Sequence, residues 1–239
     1  MMEATRRTTV RGPTFIRTLA RLTAADLTPP SQSLSDQLSQ WIDWPHAVAL
    51  STALDGKPPA PLLDERILNE VDDSECARVR AALTAAIAGD RAFAASANDA
   101  EAALDYAFFR QRYLAMQQSM EAGVGRLRER LRALLTHGTE QMARLAAVDA
   151  VMERALSRRE RALMNAAPMV LGEHFERLRE AARKTADDAQ ASDGAATAAP
   201  EIWLDAFRKE MHNVLLAELD VRLQPAEGLL AALRISAHG

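Results

Sequence analysis

The sequence predicts an all-α fold: a helical bundle built around a long antiparallel helical hairpin, with short N-terminal and C-terminal helices packed on it. Three observations carry that prediction. Hydrophobic residues make up 48% of the 239-residue chain but aromatics only 5%, the composition of packed helices rather than of sheets. Apolar residues recur in steps of three or four along most of its length, the period of one helix face. No proline falls between Asn98 and Pro168, which leaves room for two long helices in succession.

The hairpin comes from that stretch. It opens at Asn98 or Asp99 with apolar residues at Leu104, Phe108, Leu114, Met116, Met120, Val124, Leu127, Leu131 and Leu134. His137 and Gly138 interrupt, and Thr139 starts a second run through Met142, Leu145, Val148, Met152 and Leu156. Gly138 followed by Thr139 reads as a C-cap and then an N-cap, so the arms fold back antiparallel. The first arm, about 37 residues, would span about 55 Å. Gly123 and Gly125 weaken it or admit a close neighbour. Pro168 kinks or restarts the second arm, which continues through Val170, Leu171, Phe175 and Leu178. The hairpin domain is therefore set at residues 98–186.

Residues 1–12 have no apolar period and read as a disordered basic arm, and 13–97 as an N-terminal helical module. In that module Phe15, Ile16, Leu19 and Leu22 mark a first helix running to about Ala25. Ser31 or Ser33 caps a second, with Leu34, Leu38, Trp41 and Ile42 on one face. Asp43 caps a third, with Pro45 in its first turn and Val48, Leu50 and Leu54 as its apolar face. Pro58, Pro59 and Pro61 make 55–65 an extended connector. Ser74 or Asp73 caps a helix through Val79, Leu83 and Ile87 that Gly89 ends. Residues 187–200 lack large apolar side chains and read as a flexible linker. A C-terminal helical pair at 201–239 follows: Ile202, Leu204, Phe207, Met211, Leu215 and Leu219 on the first helix, then a helix begun by Pro225 with Leu229, Leu230, Leu233 and Ile235.

Charge is unevenly spread. Residues 1–22 hold five basic groups against one acidic, 23–109 hold five against fourteen, and 125–184 hold thirteen against eight, within a net charge of −4. That balance argues against a protein that coats nucleic acid indiscriminately and places the basic surface on the hairpin. The single cysteine, Cys76, excludes an intramolecular disulfide and a thiolate zinc set, and reads as a small buried hydrophobe. The N-terminus has no signal-peptide core and no stretch approaches a membrane span, so a cytoplasmic location without direct membrane insertion is expected.

No catalytic residue, metal site or cofactor is expected. His46, His137, His174, His212 and His238 never fall at the spacing of a zinc helix, no Glu-x-x-His pair occurs, and the glycines form no phosphate loop. The adjacent Glu173 and His174 point about 100° apart on a helix and read as solvated or packed polar residues. The arginines deserve more weight. Arg126, Arg128, Arg130 and Arg132 alternate and so spread around a helix. Arg128 and Arg132 nevertheless share a face, as do Arg154, Arg158 and Arg161 on the other arm. Arg126, Arg128, Arg132, Arg154, Arg158 and Arg161 are the candidate nucleic-acid contacts, against the favoured reading of a solvated face that Glu129, Glu153 and Glu160 neutralise within each helix. Trp41, Trp44 and Trp203 lie at apolar helical spacing as core or interface anchors and are the candidate partner contacts.

Four stretches also carry a resemblance: TFIRTLARLTAADLTPPSQSLSDQLSQWIDWPHAVALSTAL, FFRQRYLAMQQSMEAGVGRLRERLRALL, RRERALMNAAPMVLGEHFERLREA and WLDAFRKEMHNVLLAELDVRLQPAEGLLAAL. Together they resemble an uncharacterised bacterial domain-of-unknown-function family over most of the chain, from about Phe15 to about Leu233. Members of that family accompany stator-like proton-channel proteins of the flagellar type and OmpA-like partners, in the type III branch of the Zorya anti-phage defence systems. The resemblance implies a cytoplasmic component of such a system with a protein partner from the same operon. It carries over no functional residue. Two functions follow as expectations: a non-enzymatic helical adaptor that binds partner subunits, or a DNA-binding effector using the arginine-rich hairpin. A metal-dependent enzyme lacks the clustered ligands it would need. A long amphipathic hairpin is also open to completion either as a closed monomer or as a homodimer.

Overall fold

The computed structural model describes residues 13–23, 34–56, 74–93, 105–191 and 199–237, which hold eight helices and no strand. They are α1 (Thr14–Leu22), α2 (Leu34–Trp41), α3 (Trp44–Asp55), α4 (Ser74–Ala88), α5 (Tyr106–His137), α6 (Glu140–Met164), α7 (Ala166–Ala191) and α8 (Ala199–Ala237). The fold is an all-α bundle. The basic arm at 1–12, the caps at Ser31 or Ser33 and Asp73, nearly all of the proline-rich connector and the hairpin start at Asn98 or Asp99 lie outside the described residues.

Helix α5 is the first arm of the hairpin, and Asp105 caps it by accepting from the Ala107 N–H at 2.9 Å. It ends at Gly138, and Thr139 caps α6 by accepting from the Met142 N–H at 3.3 Å. Glycine suits the corner because a Cβ there would stand 2.7 Å from the Met142 sulfur. The buried line of α5 runs Phe109, Tyr113, Gln117, Met120, Val124, Leu127, Leu131, Leu135. From Met120 to Leu131 it follows the expected apolar line. Before Met120 it passes through Tyr113 and Gln117, while Phe108 and Met116 are only partly buried beside it.

The second arm bends at Asn165. Pro168 has no N–H, so it cannot donate to the carbonyl four residues back, that of Met164. The Gln117 side-chain amide replaces that donor at 3.1 Å, and the Tyr106 hydroxyl donates to the Pro168 carbonyl. Two residues of α5 thus hold the bend in place. Tyr106 fits there because residue 172 is glycine: a Cβ would come within 2.8 Å of its ring.

Helix α8 differs from the expected C-terminal pair. It is one helix of 39 residues with Pro225 inside it. The proline costs about 3 kcal/mol, but Leu219, Leu223, Ala226, Leu229, Leu230 and Leu233 are buried in one continuous face across it. Packing overrides the local break. Helices α7 and α8 also take the two ends of the expected linker, leaving 192–198 between them outside the described residues. Far from peripheral, α8 is the axis on which α5, α7, α1 and α4 pack. At its N-terminal half Phe109, Phe175, Phe207 and Trp203 form an edge-to-face aromatic cluster, with Phe175 5.0 Å from Phe207 and 5.1 Å from Trp203 between ring centres.

Helix α1 buries Phe15 and Leu22 on α8 and α7, helped by the Arg177 guanidinium, which donates to the Leu22 carbonyl. Ile16 is left exposed. Helix α4 lies against α8 and α5, with Cys76 and Ile87 buried and Leu83 resting on Gly123. Asp90, just after it, is buried and grips Arg112 through both carboxylate oxygens. Gly123 therefore admits a neighbour, whereas a Cβ at Gly125 would meet nothing within 4 Å.

Gly125 and Gly172 make opposite predictions. Gly125→Ala is expected to stabilise the protein by about 0.5–1 kcal/mol, because helical glycine costs unfolded-state entropy and nothing obstructs the methyl group. Gly172→Ala is expected to destabilise by about 1–3 kcal/mol through overlap with the Tyr106 ring. Thermal unfolding of the two variants checks the pair, and shifts of the same sign would refute the packing described here.

Candidate functional site

The six candidate arginines separate into three groups. Arg128 and Arg132 face α6 across the hairpin. Arg128 donates to both oxygens of Asp149 at 2.9 and 2.7 Å, and Arg132 reaches Asp149 at 3.1 Å. Glu153 completes the network with both. The two arginine side chains are only 12% and 15% exposed. Burial works against the Arg128 charge, but the hydrogen bond to Asp149 and the nearby charges of Asp149, Glu153 and Glu160 outweigh it and raise its pKa above the ordinary arginine value. Neutralisation is thus between the arms rather than within each helix, and its main acceptor is Asp149, which the sequence reading passed over. A signal for it existed: Arg128 lies ten residues before Gly138 and Asp149 ten after Thr139, so an antiparallel fold at that turn sets them opposite each other.

Arg126 points the other way, toward α4, where it lines a cavity of about 660 Å³ with Glu75, Val79 and Leu83. Beside it Arg130 pairs with Glu75 at 2.8 Å. Arg154, Arg158 and Arg161 form the third group. All three are exposed, and none has a carboxylate partner among the described residues; Arg161 donates only to the Ser157 carbonyl, at 3.3 Å. The structure therefore does not gather the six arginines on one surface.

The three tryptophans are similarly divided. Trp203 is half-buried in the aromatic cluster. Trp41, at the end of α2, lies under the Arg159 guanidinium at 5.1 Å. Trp44 is 80% exposed at the start of α3.

Helix α3 is positioned unusually. Asp43 caps it by accepting from the His46 N–H at 3.0 Å, a bond that, with the adjacent histidine side chain, holds the Asp43 carboxyl below its ordinary pKa. The expected apolar face does not turn inward: Val48 is 46% and Leu54 49% exposed, and no α3 residue is buried. The helix instead sets its small residues Ala49, Ala53 and Gly56 toward Ala143, Ala146, Ala147 and Ala150 of α6, leaving a groove of about 840 Å³ between them. Arg154 lines its wall. Successive residues turn by about 100°, so Trp44 projects opposite to Ala53 and away from α6. Leu145 on α6 is likewise exposed, the alanines having taken its place as the contact face.

Within the bundle, a polar cluster escaped the sequence reading altogether. Glu218 of α8 is fully buried and accepts from the Tyr113 hydroxyl at 2.6 Å, from the Gln117 amide at 3.0 Å and from Arg222 at 2.8 Å. Burial, followed by the Glu218 charge and hydrogen bond, pushes the Tyr113 phenol well above its usual pKa; burial alone carries Tyr106 to about 12. Arg222 also lines a cavity of about 90 Å³ with Gly125, Arg128, Glu160 and Arg161. The one warning in the sequence was Glu218 and Arg222 at helical i, i+4 spacing within an otherwise apolar stretch.

Among the described residues no group of three or more His, Cys, Asp or Glu side chains is placed to hold a metal ion, and no helix is long and apolar enough to cross a membrane. A family model described as a protein of unknown function (DUF3348) matches residues 1–235. No curated protein and no solved structure matches the chain.

Proposed function

We propose that this chain, which belongs to the family described as a protein of unknown function (DUF3348), is a non-enzymatic helical adaptor that assembles partner subunits of a bacterial anti-phage defence system on the cytoplasmic side. The outward face of α3 carries the proposal. A helix held to the bundle through alanines while Trp44, Val48 and Leu54 stand in solvent is suited to being covered by another protein, since exposed aromatic side chains bordered by polar groups are the anchors of interfaces. The resemblance to Zorya-associated proteins makes the operon neighbours the first partners to try. Co-expressed with them, the chain is expected to co-elute at low salt, and Trp44→Ala to weaken that association at least about tenfold. Absence of co-elution with every neighbour would overturn the reading.

A second reading, DNA binding, is favoured by one observation: Arg154, Arg158 and Arg161 lie exposed on one face of α6, over about 10 Å, without carboxylate partners among the described residues. Three phosphate contacts would give a slope of about −2.7 for log affinity against log salt on duplex DNA. Glutamine at all three positions should then abolish binding; an unchanged affinity excludes these residues as the contact.

A further inference from the structure

We infer that the α3 face is occupied by a second copy of this chain, in a two-fold dimer that sets Trp44 and the acidic α2–α3 strip of each copy on Arg154 and Arg158 of the other. This rests on the reading of α3 as a docking helix and names what docks there.

Charge complementarity is the first argument. Residues 34–56 carry three Asp and no Lys or Arg, whereas 154–161 carry four Arg and one Glu, so the two segments are equal and opposite. The second argument is position. The Trp41 ring lies under Arg159, and Arg154 walls the same groove as Ala49 and Ala53, so the corner between α2 and α3 adjoins the basic strip. A two-fold contact uses the same patch on both partners and requires such self-complementarity. Within one copy the basic half of the patch is left open: Asp43, 63% exposed, is paired with His46 of its own helix, and Arg154 and Arg158 have no carboxylate partner among the described residues. Trp44 supplies the aromatic anchor. An arginine over an indole face is a favourable contact, stronger once water is excluded, and the chain already makes that pair once, between Arg159 and Trp41.

The test uses the full-length protein in light scattering and sedimentation over a concentration series. Wild type is expected to reach twice the chain mass of 26.1 kDa. Trp44→Ala and the double variant Arg154→Glu/Arg158→Glu should each weaken dimerisation at least about tenfold without changing the helical circular dichroism spectrum, because these side chains are exposed. An equimolar mixture of the two variants keeps one half of the contact intact, Trp44 of one copy on the arginines of the other. It should associate more tightly than either variant alone. A wild type that stays monomeric throughout the series, or a mixture no tighter than its components, overturns the dimer. So does a dimer untouched by the arginine substitutions when the same substitutions abolish binding to duplex DNA, which would give the patch to nucleic acid. If wild type is monomeric while an operon neighbour co-elutes in a Trp44-dependent way, the dimer fails and the adaptor stands. If the dimer forms as described and no neighbour co-elutes, the adaptor fails and the dimer stands.

Discussion

Glu218→Leu is expected to destabilise the protein by about 3–5 kcal/mol, the cost of breaking a buried ion pair from one side. Arg222, 8% exposed, keeps its charge with no carboxylate to meet it. The Tyr113 hydroxyl loses its acceptor, and the Gln117 amide keeps only the Met164 carbonyl. Because Gln117 also replaces the donor missing at Pro168, the damage should reach the bend between α6 and α7. Glu218→Leu/Arg222→Met removes the stranded charge and should recover part of the loss. It should remain less stable than wild type, since an unmet buried hydroxyl costs about 1–3 kcal/mol. Urea unfolding followed by circular dichroism measures both, the shift in midpoint being read at unchanged slope. A loss below about 1 kcal/mol for the single variant would mean that the cluster does not hold the bundle together.

Arg128→Gln should cost about 2–3 kcal/mol, while Arg158→Gln should stay within about 0.5 kcal/mol of wild type. Both are arginines of the same basic hairpin, and their surroundings separate them. Arg128 is 12% exposed and donates through two nitrogens to Asp149, so its removal leaves the network short of a cation between the two arms. Arg158 is exposed and free of carboxylates among the described residues. The same denaturation experiment decides. Equal effects would remove the distinction between arginines that hold the hairpin and arginines available to a ligand. A neutral Arg128→Gln would return Arg128 and Arg132 to the candidate binding surface.

Much of the hairpin was legible because its signals are local. Gly138 and Thr139 act through caps that span a few residues, and Pro168 acts through a donor missing within one turn. The line from Met120 to Leu131 was legible because apolar side chains in steps of three or four leave one face to bury. The same rule missed Tyr113 and Gln117. Polar side chains enter a core only when partners satisfy them, and their partner, Glu218, is about a hundred residues away in sequence. At the candidate site, the sharing of a face by Arg128 and Arg132 could be read from their spacing. What they face could not be read from α5 alone, because Asp149 belongs to the opposite arm.

By itself, the sequence determined the helical class, the turn between the hairpin arms, the capping of α3 by Asp43 and the break near Pro168. The class follows from composition and apolar spacing along single helices, and the turn, the cap and the break from backbone donors and acceptors within about one turn of the residue concerned. Only the tertiary structure decided that α8 runs unbroken through Pro225, that α3 turns its alanines inward and its tryptophan outward, and that two of the six arginines are sequestered while three are exposed. These outcomes depend on how much surface each alternative buries and which charges it brings within reach. Both quantities belong to pairs of helices rather than to any one of them, and the same surface that they leave open around Trp44 is where the binding proposed for this protein would occur.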